Sequence, residues 1–165
     1  MTGENPTIRD LLRQAATLLP GESARLDAEV LLAACLGKPR SHLHAWPELV
    51  VVDPTLSQYN DWIRRRAAGE PVAHLTGVRE FWSLSLTVTP DTLIPRPETE
   101  TLVELALEKI PPGAAWRVAD LGTGTGAIAL AIASECPLCE VIATDTSAAA
   151  LHHLQLGAET QTQRQ

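Results

Sequence analysis

The sequence predicts an α/β protein built from a small N-terminal helical bundle, a β-hairpin linker and the first βαβ part of a parallel sheet. Three observations lead to this fold class. Apolar residues recur at helical spacing up to about residue 70, residues 83–88 alternate between polar and apolar, and short apolar strands then alternate with helices. We therefore predict a helical domain at 1–70, a hairpin linker at 71–92, a partial Rossmann-like domain at 93–156 and a disordered tail at 157–165.

Four short helices are predicted in the N-terminal region. Thr7 and Asp10 have the spacing of a capping box at the start of the first helix. Ser23 is expected to cap the second helix, and Gly37 fits the position just past its end. Two further helices follow before residue 70, so that the region forms a small bundle.

After the predicted helices, the spacing of the apolar residues changes from helical to strand-like. Leu84, Leu86 and Val88 alternate with polar residues, which is the spacing of a strand. We predict a β-hairpin over this segment, with Gly77 as its turn or bulge. His74 is interpreted as a strand histidine packed near a domain joint rather than as an acid–base residue.

The next segment combines a stiff loop with a helix. Arg96 lies between two prolines, which favour extended backbone. A helix is predicted from about Glu98 to Lys109. Its buried stripe is expected to consist of Leu102, Val103, Leu105, Ala106 and Ile110.

The final part has a βαβ pattern. A short strand at 116–121 is followed by the glycine loop Gly122–Gly126 and by an apolar helix at 127–134. A second strand covers Glu140–Asp145, and Ser147 is expected to cap one more helix.

The glycine loop is the main candidate for a binding site. A strand that enters a glycine turn and then a helix makes a crevice for a nucleotide-like ligand, since glycine backbone and free helix N–H groups can approach it closely. Asp145 lies 23 residues after Gly122, at the tip of the next strand, where a carboxylate can accept hydrogen bonds from both ribose hydroxyls.

The loop alone leaves the cofactor open. Gly122, Gly124 and Ala127 also satisfy the dinucleotide pattern, so NAD is an alternative, as is a structural turn with no ligand. Asp120 favours S-adenosylmethionine, because its carboxylate can pair with a methionine ammonium but would be repelled by a pyrophosphate. Gly126 adds the third glycine of the pattern D-x-G-x-G-x-G, which is common in doubly wound methyltransferases.

The composition and the cysteine content reduce the number of possible functions. The net charge of -7 argues against direct nucleic-acid binding, and the cluster Arg64–Arg66 is interpreted as a solvated helix face. No apolar run approaches the roughly 18 residues that a membrane span needs, and we see no signal peptide, so we expect a cytoplasmic protein. Cys136 and Cys139 lack the second ligand pair that zinc requires, so no metal site is predicted.

Four segments together resemble a known family. They are Gly-Glu-Pro-Val-Ala-His-Leu-Thr-Gly at 69–77, Arg-Glu-Phe-Trp at 79–82, Leu-Ile-Pro-Arg-Pro-Glu-Thr-Glu at 93–100 and Asp-Leu-Gly-Thr-Gly-Thr-Gly-Ala-Ile-Ala-Leu at 120–130. Their combination and order resemble the protein-(glutamine-N5) methyltransferases that modify peptide chain release factors. The similarity extends from the helical region to about Leu151.

The resemblance implies a cofactor, a partner and a reaction. The cofactor is S-adenosylmethionine, the partner is a peptide chain release factor, and the methyl group goes to the side-chain amide of a glutamine in a Gly-Gly-Gln motif. The helical domain would help to dock the release factor, and the hairpin would link it to a seven-stranded Rossmann-like methyltransferase domain. The residues that correspond by position to the cofactor site are Asp120, Gly122, Thr123, Gly124, Thr125, Gly126 and Asp145, with Arg96 in a possible pocket loop. A rigid connector is the alternative interpretation of the Arg96 loop.

The sequence departs from the family at the substrate site. The family orients the glutamine amide with an Asn-Pro-Pro-Tyr motif after its fourth strand, and this chain contains no such motif. No catalytic residue is therefore assigned, and we expect a truncated gene product or fragment that is inactive alone. Alternatives are a non-catalytic fragment that binds release factors, a nucleic-acid methyltransferase and an NAD-binding enzyme.

Overall fold

The computed structural model describes residues 5–152 and 154. Its contacts divide the chain into two compact units, Met1–Thr76 and Gly77–Gln165. The expected disordered tail at 157–165 lies outside the described residues. None of the helices in the described part is long and apolar enough to cross a membrane.

The first unit is a helical bundle with its own core. Its helices are α1 (Ile8–Leu18), α2 (Ala24–Leu36), α3 (Arg40–Ala45), α4 (Thr55–Ala67) and α5 (Val72–Thr76). The core of this unit includes the fully buried side chains of Ile8, Leu31, Leu32, Leu43 and Tyr59. Burial of such large apolar side chains is the main favourable term in the folding of a bundle of this size.

The helix ends agree with the sequence prediction except at Ser23. Thr7 and Asp10 form the predicted capping box, in which Thr7 Oγ1 accepts from the Asp10 amide at 3.2 Å. Gly37 ends α2 in the left-handed conformation, with φ of +60°. The Ser23 side chain bonds to no helix amide and instead donates to the Asp27 carboxylate at 3.3 Å, so its predicted capping role was wrong.

The second unit opens with the predicted hairpin, but the turn is not at Gly77. Strands β1 (Val78–Phe81) and β2 (Leu84–Thr87) pair antiparallel, with Phe81 opposite Leu84. Trp82 and Ser83 form the turn, with φ of +51° and +60°. Gly77 lies at the open end, where its carbonyl accepts from the Val88 amide at 2.9 Å. The prediction failed because the residues before Gly77, including His74, form helix α5 rather than a strand.

The remaining elements form a parallel βαβ arrangement. A short 3-10 helix (Pro97–Thr99) leads into α6 (Glu100–Lys109), followed by β3 (Arg117–Leu121), α7 (Ala127–Glu135) and β4 (Glu140–Thr144). β3 and β4 pair in parallel, with Asp120 opposite Ala143. The unit therefore has the helical and strand content of a partial Rossmann-like domain, as predicted.

The core of the second unit lies between the hairpin and helices α6 and α7. Its buried members are Phe81, Leu86, Val103, Ala127 and Ala131. The predicted stripe of α6 is only partly correct, because Val103 is completely buried whereas Leu102 and Leu105 are at least half exposed. A single helical stripe can be buried only where another element covers it, and the sequence pattern does not say which part is covered.

Candidate functional site

The glycine loop lies where the carboxyl ends of β3 and β4 meet. The amides of Gly122 and Thr123 both donate to the carbonyl of Thr144, at 2.8 and 2.9 Å. Thr144 Oγ1 in turn donates to the carbonyl of Asp120 at 3.3 Å. These bonds hold the start of the loop against the tip of the neighbouring strand, the place where open parallel sheets bind ligands.

The three glycines of the loop are required for two different reasons. All three have positive φ: +78° at Gly122, +55° at Gly124 and +78° at Gly126. A Cβ on Gly122 or Gly124 would meet no atom within 4 Å, so these two glycines have open space beside the backbone. A Cβ on Gly126 would lie 2.1 Å from Leu154 Cδ1, so this glycine is needed for packing within the protein.

Asp145 is joined to the loop directly. Its Oδ2 accepts from the Gly124 amide and its Oδ1 from the Ser147 amide, both at 2.8 Å. The backbone hydrogen bonds from Ser147 and Gly124 lower the pKa of Asp145 below its ordinary value of 3.8 and outweigh the effect of burial. The structure therefore places an ionised carboxylate beside the second glycine of the loop at neutral pH.

Asp120 is bonded inside the loop. Its Oδ2 accepts from Thr123 Oγ1 at 2.7 Å and from the Ala129 amide at 3.2 Å. Ala129 is the third residue of α7, and helices leave the amides of their first turn without partners inside the helix. Gly126, at the N-cap position, offers no side chain, so Asp120 satisfies this amide from outside the helix.

The other predicted site residues differ in their exposure. Thr123 and Thr125 are buried, so the surface that the loop presents is mainly the backbone of Gly122 and Gly124. Arg96 is exposed and has the extended backbone that its flanking prolines favour. Within the described part of the chain, no hydrogen bond or ion pair joins Arg96 to the glycine loop.

Sequence reasoning missed the contacts that hold the hairpin turn. The Trp82 amide donates to Glu100 at 3.0 Å, and its indole Nε1 donates to Glu135 at 2.8 Å. A tryptophan with positive φ is uncommon, and in this conformation its backbone amide and its indole each donate to a carboxylate. The segment Arg79–Trp82 is one of the family-like motifs of the sequence, but the positions of the two partners of Trp82 depend on how α6 and α7 pack.

The two cysteines of the Cys-Pro-Leu-Cys segment form a turn between α7 and β4. The Cys139 amide donates to the Cys136 carbonyl at 2.9 Å, and neither cysteine forms a disulfide. Burial raises the pKa of Cys136, which makes its thiol less reactive at neutral pH. Among residues 5–152 and 154, no group of three or more His, Cys, Asp or Glu side chains is placed to hold a metal.

The fold and the loop together define a class of protein. A parallel strand pair whose tips carry a glycine loop and a carboxylate is typical of Rossmann-like domains. The family described as Methyltransferase small domain matches residues 99–164, and the family described as PrmC N-terminal domain matches residues 10–77. The second unit is therefore part of a methyltransferase-type Rossmann-like domain.

Curated relatives point to a more particular family. The release factor glutamine methyltransferase of Escherichia coli (strain K12) is 52% identical over 149 residues, which are 90% of this chain and 53% of the relative. Those of Aliivibrio fischeri and Pseudomonas aeruginosa are each 56% identical, over 80% and 84% of this chain and 46% and 50% of the relatives. This chain is therefore similar to the release factor glutamine methyltransferases over most of its own length, and it spans about half the length of these relatives.

Proposed function

We propose that this chain carries the cofactor-binding part of an enzyme that methylates a glutamine side-chain amide in the Gly-Gly-Gln motif of peptide chain release factors. The methyl donor is S-adenosylmethionine. The proposal rests on the glycine loop, in which Thr123 bonds to Asp120 and Gly124 bonds to Asp145. It also rests on the 52% sequence identity to the release factor glutamine methyltransferase of Escherichia coli. Because release factors act on ribosomes, the reaction belongs to the cytoplasm.

The cofactor site is proposed to combine open backbone with one carboxylate. The open faces of Gly122 and Gly124 leave room for the cofactor against the main chain. Asp145 holds the two ribose hydroxyls, since each of its oxygens accepts one backbone hydrogen bond and retains a further lone pair. Thr123, Thr125 and Gly126 give the loop its shape, and Arg96 is proposed as an outer residue of the same pocket.

The assignment can be tested by calorimetric titration of the 165-residue chain with S-adenosylmethionine, S-adenosylhomocysteine and NAD in separate experiments. We expect the two methionine-derived ligands to bind in preference to NAD. The variant D145N should weaken the binding of these two ligands by about 10-fold or more, because hydrogen bonds to a charged acceptor are among the strongest. A preference for NAD would overturn the choice of cofactor.

Catalysis by this chain alone is not expected. The family motif that receives the glutamine amide, Asn-Pro-Pro-Tyr, does not occur in these 165 residues. An assay with labelled S-adenosylmethionine and a purified release factor should therefore show no methyl transfer. Robust turnover by this chain would contradict the proposed inactivity.

A second candidate function is non-catalytic binding of a release factor. It is favoured by the first unit, which has its own core and matches the PrmC N-terminal domain family. The full chain should then retain a purified release factor in a pull-down, and D145N should leave that association unchanged because Asp145 lies in the second unit and the binding is assigned to the first. Failure of the full chain to associate would count against this function. The net charge of -7 argues against the alternative of a nucleic-acid methyltransferase.

A further inference from the structure

The structure assigns Asp120 the role of a positioning residue, which acts on the bound cofactor through Thr123 and helix α7 and not through its own charge. The inference rests on the proposed function for the identity of the ligand. It begins from the hydrogen bonds of a single oxygen, Oδ2, which accepts from Thr123 Oγ1 at 2.7 Å and from the Ala129 amide at 3.2 Å.

The first of these bonds reaches the centre of the loop. Thr123 makes two further hydrogen bonds through its backbone: its amide donates to the Thr144 carbonyl at 2.9 Å, and its carbonyl accepts from the Gly126 amide at 2.8 Å. The next residue along the chain is Gly124. The Gly124 amide donates to Asp145. A shift of Thr123 would therefore move the backbone that contacts the proposed ribose carboxylate.

The second bond attaches the loop to the helix that follows it. The N-cap residue of α7 is a glycine and forms no side-chain capping bond, so the Asp120 carboxylate replaces the usual capping side chain. The same oxygen thus joins the end of β3, the middle of the loop and the first turn of α7. Because both donors share one oxygen, an asparagine at this position can still accept both bonds through its amide oxygen.

This geometry separates a positioning role from direct charge pairing with the ligand. If Asp120 is a positioning residue, D120N should have nearly the amide exchange rates and ligand affinities of the unmodified chain, and D120A should not. T123V removes the hydroxyl donor, whereas T123S retains it and is the matched control. Because Asp120 acts through Thr123, the double variant D120A/T123V should bind no more weakly than D120A alone.

The first measurement needs no ligand. Amide hydrogen exchange across residues 122–129 of the full chain should accelerate in D120A by about 5- to 30-fold, the factor expected for loss of a helix cap. D120N should stay close to the unmodified chain. Equal acceleration in D120N and D120A would overturn the positioning role, and so would unchanged exchange in D120A.

The second measurement compares two ligands by calorimetry. S-adenosylhomocysteine carries the amino-acid ammonium group, and 5′-methylthioadenosine lacks it. D120A should weaken the binding of both ligands by a similar factor, and T123V should also weaken the binding of both. T123S and D120N should retain the affinity of the unmodified chain for both ligands. If D120N weakens only S-adenosylhomocysteine, Asp120 acts by charge on the ammonium and the inference is wrong.

The two measurements also separate this inference from the function on which it rests. If the unmodified chain binds neither ligand, the proposed cofactor function fails, and the effect of Asp120 on binding fails with it. The exchange experiment still decides whether Asp120 holds the loop and α7 in place. Binding of both ligands with no difference among the Asp120 and Thr123 variants would leave the cofactor function intact and overturn only the inference.

Discussion

The Gly124 amide and the Asp145 carboxylate are joined by a 2.8 Å hydrogen bond between residues 21 positions apart in the chain. This bond brings the loop after β3 and the tip of β4 into one site. It also predicts a pH dependence. The folded-state pKa of Asp145 is lowered, so the carboxylate stabilises the fold above its ordinary pKa of 3.8, and this contribution is lost as the pH falls through the lowered value.

The variant D145N should therefore have a lower melting temperature than the unmodified chain at pH 7, with a difference that shrinks as the pH is taken below about 3.8. Thermal unfolding at a series of pH values measures this. E140Q is the control, because Glu140 is exposed and pairs only at the surface with Arg117. A difference between D145N and the unmodified chain that stays constant down to pH 2 would contradict the assignment.

Substitution of Gly126 should be more harmful than substitution of Gly122. Both have φ of +78°, so an alanine at either position has a similar conformational cost of about 1–2 kcal/mol. At Gly126 the new Cβ would also meet Leu154 at 2.1 Å, whereas at Gly122 it would meet nothing within 4 Å. The free energy of unfolding of G126A should fall further than that of G122A, and G126A/L154A should recover part of the difference. Equal losses in G122A and G126A would exclude the steric explanation.

In helix α6, an alanine substitution should lower the free energy of unfolding at Val103 but not at the neighbouring Leu102. Val103 is completely buried beside Phe81 and Leu86, so V103A should lower the free energy of unfolding by about 2 kcal/mol. Leu102 is 57% exposed, and L102A should change the stability by less than about 0.5 kcal/mol. Urea unfolding of the two variants tests this. A larger loss in L102A than in V103A would mean that the other face of α6 is the covered one.

Tyr59 offers a test in the first unit. Its side chain is buried, and its hydroxyl has no hydrogen-bond partner among the described residues. Because an unsatisfied buried polar group costs about 1–3 kcal/mol, Y59F should leave the stability unchanged or raise it by up to about 1 kcal/mol. Y59A should lower the stability by about 3–5 kcal/mol, since it leaves a large cavity. Chemical denaturation measures both changes, and a loss of more than about 1 kcal/mol in Y59F would show that the hydroxyl has a partner.

Glu29 provides a second pH-dependent prediction. Burial alone would raise its pKa, but the hydrogen bonds from Arg40 at 2.8 Å and Arg25 at 3.2 Å outweigh burial and hold the pKa below 4.5. This carboxylate therefore stabilises the fold above pH 4.5, and the contribution is lost as the pH falls through the lowered value.

Removal of one partner of Glu29 should make this pH dependence of the stability measurable. R40M should cost about 1–2 kcal/mol near pH 7, less than for a fully buried pair because Arg40 is half exposed to solvent. The cost should decrease as the pH is lowered below 4.5. R64M removes an arginine from an exposed pair with Asp61 and is the matched control, with little expected effect at any pH. A cost for R40M that does not change with pH would contradict the assignment to Glu29.

Elements with local signals could be predicted from the residues alone. The capping box at Thr7, the glycine at the end of α2 and the strand segments β3 and β4 depend on residues close together in the chain, and the structure confirmed them. The motif from Asp120 to Gly126 likewise predicted a strand, a loop and a helix in the right order. These features were readable because each depends on short-range backbone and side-chain chemistry.

The packing of the folded chain sets which partner each side chain has, and the sequence pattern did not reveal those partners. The structure showed that the turn of the hairpin is at Trp82 and Ser83 and not at Gly77, because the residues before Gly77 form helix α5 and not a strand. It buried Val103 and left Leu102 exposed, since only one side of α6 is covered. It also placed the Asp120 oxygen on Thr123 and Ala129, a pairing that depends on where the helix begins in space. Spacing along a chain indicates which groups can meet, whereas packing decides which of them do.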